Sequence, residues 1–250
     1  SWVPLPKNRF RATRRPSQSL SETGRALIGC GSYSVQIRDR GRLSPFPDRL
    51  SEKQTDGAMR ILVILGHQRP GSFNHAIADT VIEELKSLGH EAVFHDLYAE
   101  KFDAILPDEE IRSEDELDPV VRQHCEEALA ADGFVVIHPN WWGMPPAILK
   151  GWIDRVFRQG TIYGFSAAGV TSKLAGKRAL VFTTSNTPRE DELRLYGDPL
   201  ENLWKTCIFG LLGVEDFARR NFESIIMSTP EQRDGWLDDV RQMVHQRFAG

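Results

Sequence analysis

The chain has little of what would commit it to several large protein classes. No apolar run is long enough to cross a membrane. Its three cysteines, Cys30, Cys125 and Cys207, are few, odd in number and widely spaced. They form neither a metal pattern nor a disulfide framework, which points to a reducing compartment, and a cytoplasmic location is expected. No histidines and acids stand at metal-ligand spacing, so no metal is expected. No methionine precedes Met59. The glycine signatures of common nucleotide sites are missing too. Neither the Gly-Lys-Ser/Thr ending of a triphosphate loop nor the three-glycine dinucleotide pattern occurs.

What is present suits one domain with a sizeable core, plus an appendage. The 250 residues are 40% hydrophobic and 26% charged, with net charge −4. The charge is uneven. Residues 1–58 carry nine Arg and two Lys against five acids, so the rest is distinctly acidic. An acidic body argues against a nucleic-acid groove. Residues 1–58 are also Ser- and Pro-rich without sustained periodicity, and offer too little apolar surface to offset their ordering entropy. A targeting peptide, a disordered basic arm and translated sequence upstream of the true start all fit this stretch. The last is preferred, because Met59 stands directly before the first strand.

From Met59 the pattern alternates. Arg60 to Leu65 reads as a strand buried on both faces. Gly66 ends it, and a polar loop from His67 to Ser72 carries Pro70 and Gly71 as turn residues. Ser72 is placed to cap a helix over Phe73 to Leu88. Further strands are expected at Glu91–His95, Gly133–His138, Arg178–Thr183 and Glu215–Phe222. Helices are expected at Val120–Ala131, Ala147–Phe157, Pro199–Leu212 and Pro230–Phe248. Asp96 to Pro119 reads as acidic loop or short irregular helix, with Asp108 to Asp118 a solvated surface. Gln159 to Ser172 reads as a glycine-containing loop. Five strands alternating with helices imply an α/β fold: a doubly wound, five-stranded parallel sheet with helices on both faces.

Ligands of such sheets sit outside the carboxyl ends of the strands. Three loops leave those ends: His67–Ser72, Pro139–Pro146 and Thr184–Gly197. The first joins a strand to a helix N-terminus, where unpaired amides and the helix dipole favour a phosphate. His67, Gln68, Ser72 and Asn74 add side-chain donors. An ordinary strand-to-helix turn would read the same way. Proline fixes the entry and exit of the second loop at Pro139, Pro145 and Pro146. Between them stand Trp141 and Trp142, which cannot both be core. A rigid aromatic loop beside a phosphate site suits a planar heteroaromatic ligand, although both tryptophans could instead pack on the next helix or a partner subunit. His75, His90, His95 and His124 read as helix-surface or strand-end residues. His138, just before the aromatic loop, is a candidate supporting residue.

The motifs GHQRPGSFN, HPNWWGMPPAILKGWIDRVF, TTSNT and the segment around YGDPLENLW, in that order, resemble the NAD(P)H:quinone oxidoreductases of flavodoxin-like fold. The resemblance covers about Met59 to Ala249. It implies that His67, Ser72, Phe73 and Asn74 hold a flavin's phosphate and ribityl chain. It implies that Pro139, Asn140, Trp141, Trp142 and Gly143 run beside the isoalloxazine ring, with Thr184, Ser185 and Asn186 as its second contact. Tyr196 falls where relatives carry a histidine that helps the reduced ring accept charge. The tyrosine that accompanies that histidine has no counterpart here, since Pro188 to Leu195 holds none. Ser185 and Asn186 replace a glycine pair.

The resemblance further implies hydride transfer from NAD(P)H through FAD, with FMN as the alternative, to a quinone or another flat acceptor such as an azo or nitro compound. One slot used in turn by donor and acceptor predicts ping-pong kinetics. A homodimer is also implied, and Tyr163 and Phe165 in the loop Gly160 to Gly169 offer a patch for it. Two other readings of this chain are a redox-sensing subunit docked on a membrane transporter and an electron carrier with no nicotinamide site.

Overall fold

A computed structural model describes residues 57–112, 117–167 and 169–249. The expected basic extension lies outside them, except for its last two residues. The expected alternation is present. Strands β1 (Arg60–Leu65), β2 (Glu91–Asp96) and β3 (Gly133–Pro139) alternate with helices α1 (Phe73–Ser87), α2 (Asp108–Arg112) and α3 (Pro119–Ala130). Helix α4 (Ala147–Val156) leads into two short strands, β4 (Tyr163–Ser166) and β5 (Gly169–Ser172), and then into β6 (Arg178–Thr184). Helices α5 (Arg189–Asp191) and α6 (Pro199–Asn202) precede β7 (Asp216–Phe222), and α7 (Pro230–Phe248) closes the described chain.

The main sheet is five-stranded and wholly parallel, in the order β2-β1-β3-β6-β7. The order reverses between β1 and β3, so the loops after these strands diverge and leave a crevice between them. The three central strands are almost wholly buried. Their side chains alternate between two cores, as a pleated sheet requires. Leu62, Ile64, Phe134 and Val136 face α3 and α4, together with Trp152 and Trp204. Ile61, Val63, Leu65 and Val135 face α1 and α7, with Val240, Val244 and Phe248. Each large apolar side chain removed from water contributes about 1.5–3 kcal/mol.

Four local features depart from the sequence reading. Gln159–Ser172 is not all loop, because β4 and β5 pair as an antiparallel hairpin. The helix expected over Pro199–Leu212 is α-helical only to Asn202 and continues from Leu203 to Gly210 with wider π-helical turns. A second π-helical stretch, Glu192–Tyr196, extends α5 inside the segment read as loop. The acidic segment also holds a buried anchor. Glu110 on α2 binds the Arg155 guanidinium of α4, and Arg155 Nη1 donates to the Asp103 carbonyl at 2.6 Å. Glu110 is therefore not part of a solvated face. The same region explains Gly151: a Cβ there would lie 2.1 Å from the Ala104 carbonyl oxygen, so only glycine admits this crossing of loop over helix.

Candidate active site

The three loops converge. Asn140 N donates to the Thr184 carbonyl at 2.7 Å, joining the second loop to the third. Asn74 Nδ2 donates to Thr184 Oγ1 at 2.9 Å, joining the first helix to the same residue. Gly66 N donates to the Ile137 carbonyl at 2.9 Å and ties β1's end to β3. Thr184 is thus the knot of the site, and it is buried with Ser185 beside it. Beneath them Thr183 Oγ1 donates to Asn221 Oδ1 at 2.8 Å, and Asn221 Nδ2 donates to Ser185 Oγ at 3.1 Å. Asn221 lies on β7, where no sequence motif marks it.

The N-terminus of α1 is less ordinary than its sequence. Ser72 occupies the N-cap position, but no side chain caps the helix and its first turn holds no acid. The expectation of a serine cap is therefore corrected. Ser72 Oγ turns instead to His75 Nδ1 at 2.8 Å, and His75 Nε2 meets Asp96 Oδ2 at 3.1 Å. His67 is half-buried, and its Nδ1 accepts from Arg69 N at 3.1 Å, which leaves the ring proton on Nε2. Burial pulls its pKa below 6.5, so the ring is neutral near pH 7. Phe73 packs edge-on against Phe222 and at a tilt against Trp236, at 5.8 Å each. Asn74 is buried, and its Oδ1 has no partner.

The aromatic loop is a tight turn. Trp141 and Met144 exchange backbone hydrogen bonds at 3.0 Å each way. Trp142 and Gly143 between them both have positive φ, 58° and 72°. Asn-Gly is the usual occupant of such a turn, and a bulky residue in the left-handed region costs about 1–2 kcal/mol. Asn140 holds the turn, accepting from Gly143 N at 2.9 Å while its Nδ2 donates to Glu192 at 3.2 Å. Gly143 is required twice over, since a Cβ would also sit 2.7 Å from Pro199.

A cleft of about 640 Å³ opens here, lined by Trp142, Ser185, Asn186, Glu192, Tyr196 and Pro199 among others. Trp142 is fully exposed at its edge. Trp141 is 40% exposed but does not line the cleft. Asn186 is exposed, and its Oδ1 accepts from Ile226 N at 3.3 Å. Tyr196 is exposed on the π-helical stretch and faces the cleft. Pro139 ends β3 in the buried interior. His138 supports this loop from below: it donates from Nδ1 to the Pro139 carbonyl at 2.8 Å and accepts from Trp204 Nε1 at 2.9 Å. Burial holds it neutral, with a pKa lowered to about 4.

The other histidines correct the surface reading, because His90, His95 and His124 are buried. His95 sits between Glu100 at 3.0 Å and Glu127 at 2.7 Å, with the His124 ring 3.9 Å away. His95, Glu100 and His124 bring three ligand atoms within 4.8 Å, which their sequence spacing did not reveal. The donor chemistry does not suit a cation. Trp152 Nε1 donates to His124 Nδ1 at 2.9 Å, so the proton of neutral His124 stands on Nε2, where a metal would bind.

The pattern of the flavodoxin-like fold family matches residues 59–247, and the chain belongs to that family. Within it, relatives named NAD(P)H dehydrogenase [quinone] are similar to this chain, in line with the resemblance of the motifs. The guinea pig (Cavia porcellus) NAD(P)H dehydrogenase [quinone] 1 is 31% identical over 166 residues, covering 58% of this chain and 60% of its own length. The solved structure of Smu.1420 from Streptococcus mutans UA159 is 32% identical with a TM-score of 0.68, over 75% of this chain and all of its own. An FMN-dependent NADH-azoreductase from Bacillus anthracis, solved with FMN, shares the fold at 17% identity and a TM-score of 0.64. That match covers 75% of this chain and 98% of the azoreductase.

Proposed function

We propose that this protein is a flavin-dependent NAD(P)H:quinone oxidoreductase, working by two-electron ping-pong transfer to a quinone or similar flat acceptor. The observation that carries the reading is the Thr184 knot, which ties the start of α1 and the second loop to the end of β6, beside an aromatic-edged cleft lined by the second and third loops. The residues present suit a flavin. The α1 N-terminus has neither cap nor acid of its own, and the buried Asn74 Oδ1 lacks a partner. His67, Ser72, Asn74 and the Phe73 amide would hold the phosphate and ribityl end. Pro139, Asn140, Trp141, Trp142, Gly143, Thr184, Ser185 and Asn186 would flank the ring. When bound, FAD, or FMN as the alternative, supplies hydride acceptance and delivery.

The chain's own part is positioning and electrostatics. Asn140 and Glu192 fix the Trp142 turn, so the cleft wall is set before a ligand arrives. The neutral His138 keeps the loop's base free of charge. The Tyr196 hydroxyl, at the cleft wall, donates a hydrogen bond to an acceptor oxygen as negative charge develops there. Leu193, Leu195, Tyr196 and Trp142 expose apolar surface beside the cleft, which a second copy of the chain would cover in a homodimer. Among the described residues no helix is long and apolar enough to cross a membrane, and we place the enzyme in the cytoplasm.

A visible spectrum of the purified protein, repeated after anaerobic NADPH and then a quinone, tests this reading. A flavin band that bleaches and returns supports it. A band that NADPH leaves intact favours an electron carrier or sensor, and no band after reconstitution removes the enzyme assignment.

A further inference from the structure

We infer that Ser72, His75 and Asp96 form a proton-gated phosphate latch, so that flavin binding takes up a proton at His75. The inference rests on the flavin reading above and adds a regulation to the same site. The three residues come from different places: the N-cap of α1, its first turn, and the last residue of β2. The chain of contacts is continuous, at 2.8 Å and then 3.1 Å. Ser72 is buried, while His75 and Asp96 keep 19% and 17% of their side chains exposed.

Hydrogen-bond chemistry gives the chain two states. The Asp96 carboxylate accepts only, so His75 keeps a proton on Nε2. In neutral His75, Nδ1 is bare and must accept the Ser72 hydroxyl proton. Ser72 then presents only lone pairs to an incoming anion. When His75 takes a second proton, on Nδ1, the direction reverses. His75 now donates to Ser72 Oγ, and the hydroxyl proton is released to donate elsewhere. An arriving phosphate oxygen gains both that donor and a positive charge one bond behind it. By linkage, phosphate binding must then favour the protonated form by the same factor.

Asp96 is well placed to hold the ring through both states. Its other oxygen accepts from Tyr98 N and Ala99 N, each at 3.1 Å, so the carboxylate is fixed by the turn that follows β2. The groups facing His75 can be named. From the loop comes His67, with its ring 6.1 Å away. From β2 comes Asp96, and Asp79 lies one turn on along α1. Burial lowers the His67 pKa, so that ring takes a proton less readily than an ordinary imidazole, and His75→Gln separates the two contributions.

The test counts protons. The full chain, freed of flavin, is titrated calorimetrically with FAD in two buffers of unlike ionisation enthalpy at about pH 8, where free imidazole is mostly neutral. The FAD pyrophosphate does not titrate near neutrality, and riboflavin, which lacks phosphate, serves as the control. FAD binding is expected to take up roughly half a proton or more, and riboflavin none. FAD affinity should also fall about ten- to twentyfold between pH 6 and pH 8.5. His75→Gln should abolish the uptake. Ser72→Ala should abolish most of it, and full uptake in that variant would overturn the hydroxyl gate in favour of charge alone. Imidazole NMR of the unaltered protein gives the same answer without substitution: the His75 titration must move to higher pH on adding FAD, and an unmoved titration overturns the latch. FAD binding without proton uptake sinks the latch alone. Failure of FAD, FMN and riboflavin alike to bind sinks the flavin reading itself.

Discussion

His95 and Asp96 are neighbours on β2, yet the pleat sends them to opposite faces and into opposite kinds of histidine chemistry. On the α3 side, His95 is held by two carboxylates, Glu100 and Glu127, and its pKa is raised to about 9. Burial works against that charge, and the two acceptors outweigh it. The His124 ring stacked on it is held neutral by burial and by the charge of His95, with a pKa lowered to about 4. On the α1 side, Asp96 holds His75, whose other nitrogen meets a hydroxyl rather than a second acid. The difference lies in the second partner. A second carboxylate accepts only, so it holds the proton through the neutral range and up toward pH 9. A hydroxyl both donates and accepts, so the proton can come and go. One cluster is built to be static and the other to respond.

The comparison breaks most visibly in stability. His95→Gln should cost about 2–3 kcal/mol by denaturant unfolding, below the ~3–5 kcal/mol of a fully buried pair because Glu100 keeps 36% of its side chain exposed. His75→Gln should cost less, about 1 kcal/mol, because its partners are a hydroxyl and one carboxylate rather than two carboxylates. Equal losses at the two sites would erase the distinction.

The pH dependence of melting sharpens it. A raised histidine pKa contributes stability that is complete below about 6.5 and lost as pH rises toward 9. Lowered pKa values at His124 and His138 act the other way. The unfolded chain takes up protons there first, so stability falls as pH drops from about 6.5 toward 4. The melting temperature should therefore peak near neutrality and decline on both sides. In His95→Gln the alkaline decline should flatten, and an unchanged alkaline limb would count against the His95 assignment.

Smaller effects belong to the cleft. Tyr196→Phe should lower kcat with a quinone about tenfold while leaving the melting temperature unchanged. A change in KM alone would make Tyr196 a wall rather than a donor. Trp142→Gly should stabilise the fold by about 1 kcal/mol, by relieving the left-handed backbone, and raise the KM for the acceptor. A destabilised variant would mean that the indole packs where the fold needs it.

Much of this fold was legible because buried strands write continuous apolar runs. β1, β3 and β6 were all readable, and the expected span of α7 coincides with the one observed. The site's location followed from the rule for parallel sheets, and its backbone from prolines and glycines. What escaped lies in contacts between distant residues. Ser72 reads as a cap by type, but its hydroxyl is diverted by a histidine three residues on and an aspartate on β2. Glu110 reads as a surface acid, because nothing local announces Arg155, and no local pattern pairs Glu127 with His95. The π-helical turns at Glu192 and Leu203 carry no distinct periodicity, so Glu192 could not be seen to orient Asn140. The β4–β5 hairpin is four residues a side and follows its glycines rather than an apolar alternation.

The strained turn has one optical consequence. Of the tryptophans among the described residues, Trp152 and Trp204 are fully buried, whereas Trp142 stands wholly in solvent at the mouth of the cleft. A water-borne quencher such as iodide reaches Trp142 first. A flat ligand settling against the turn darkens that same indole and then shields it from the quencher. The residue that strains the backbone is thus also a lamp at the doorway, and the filling of the cleft can be watched in the protein's own light.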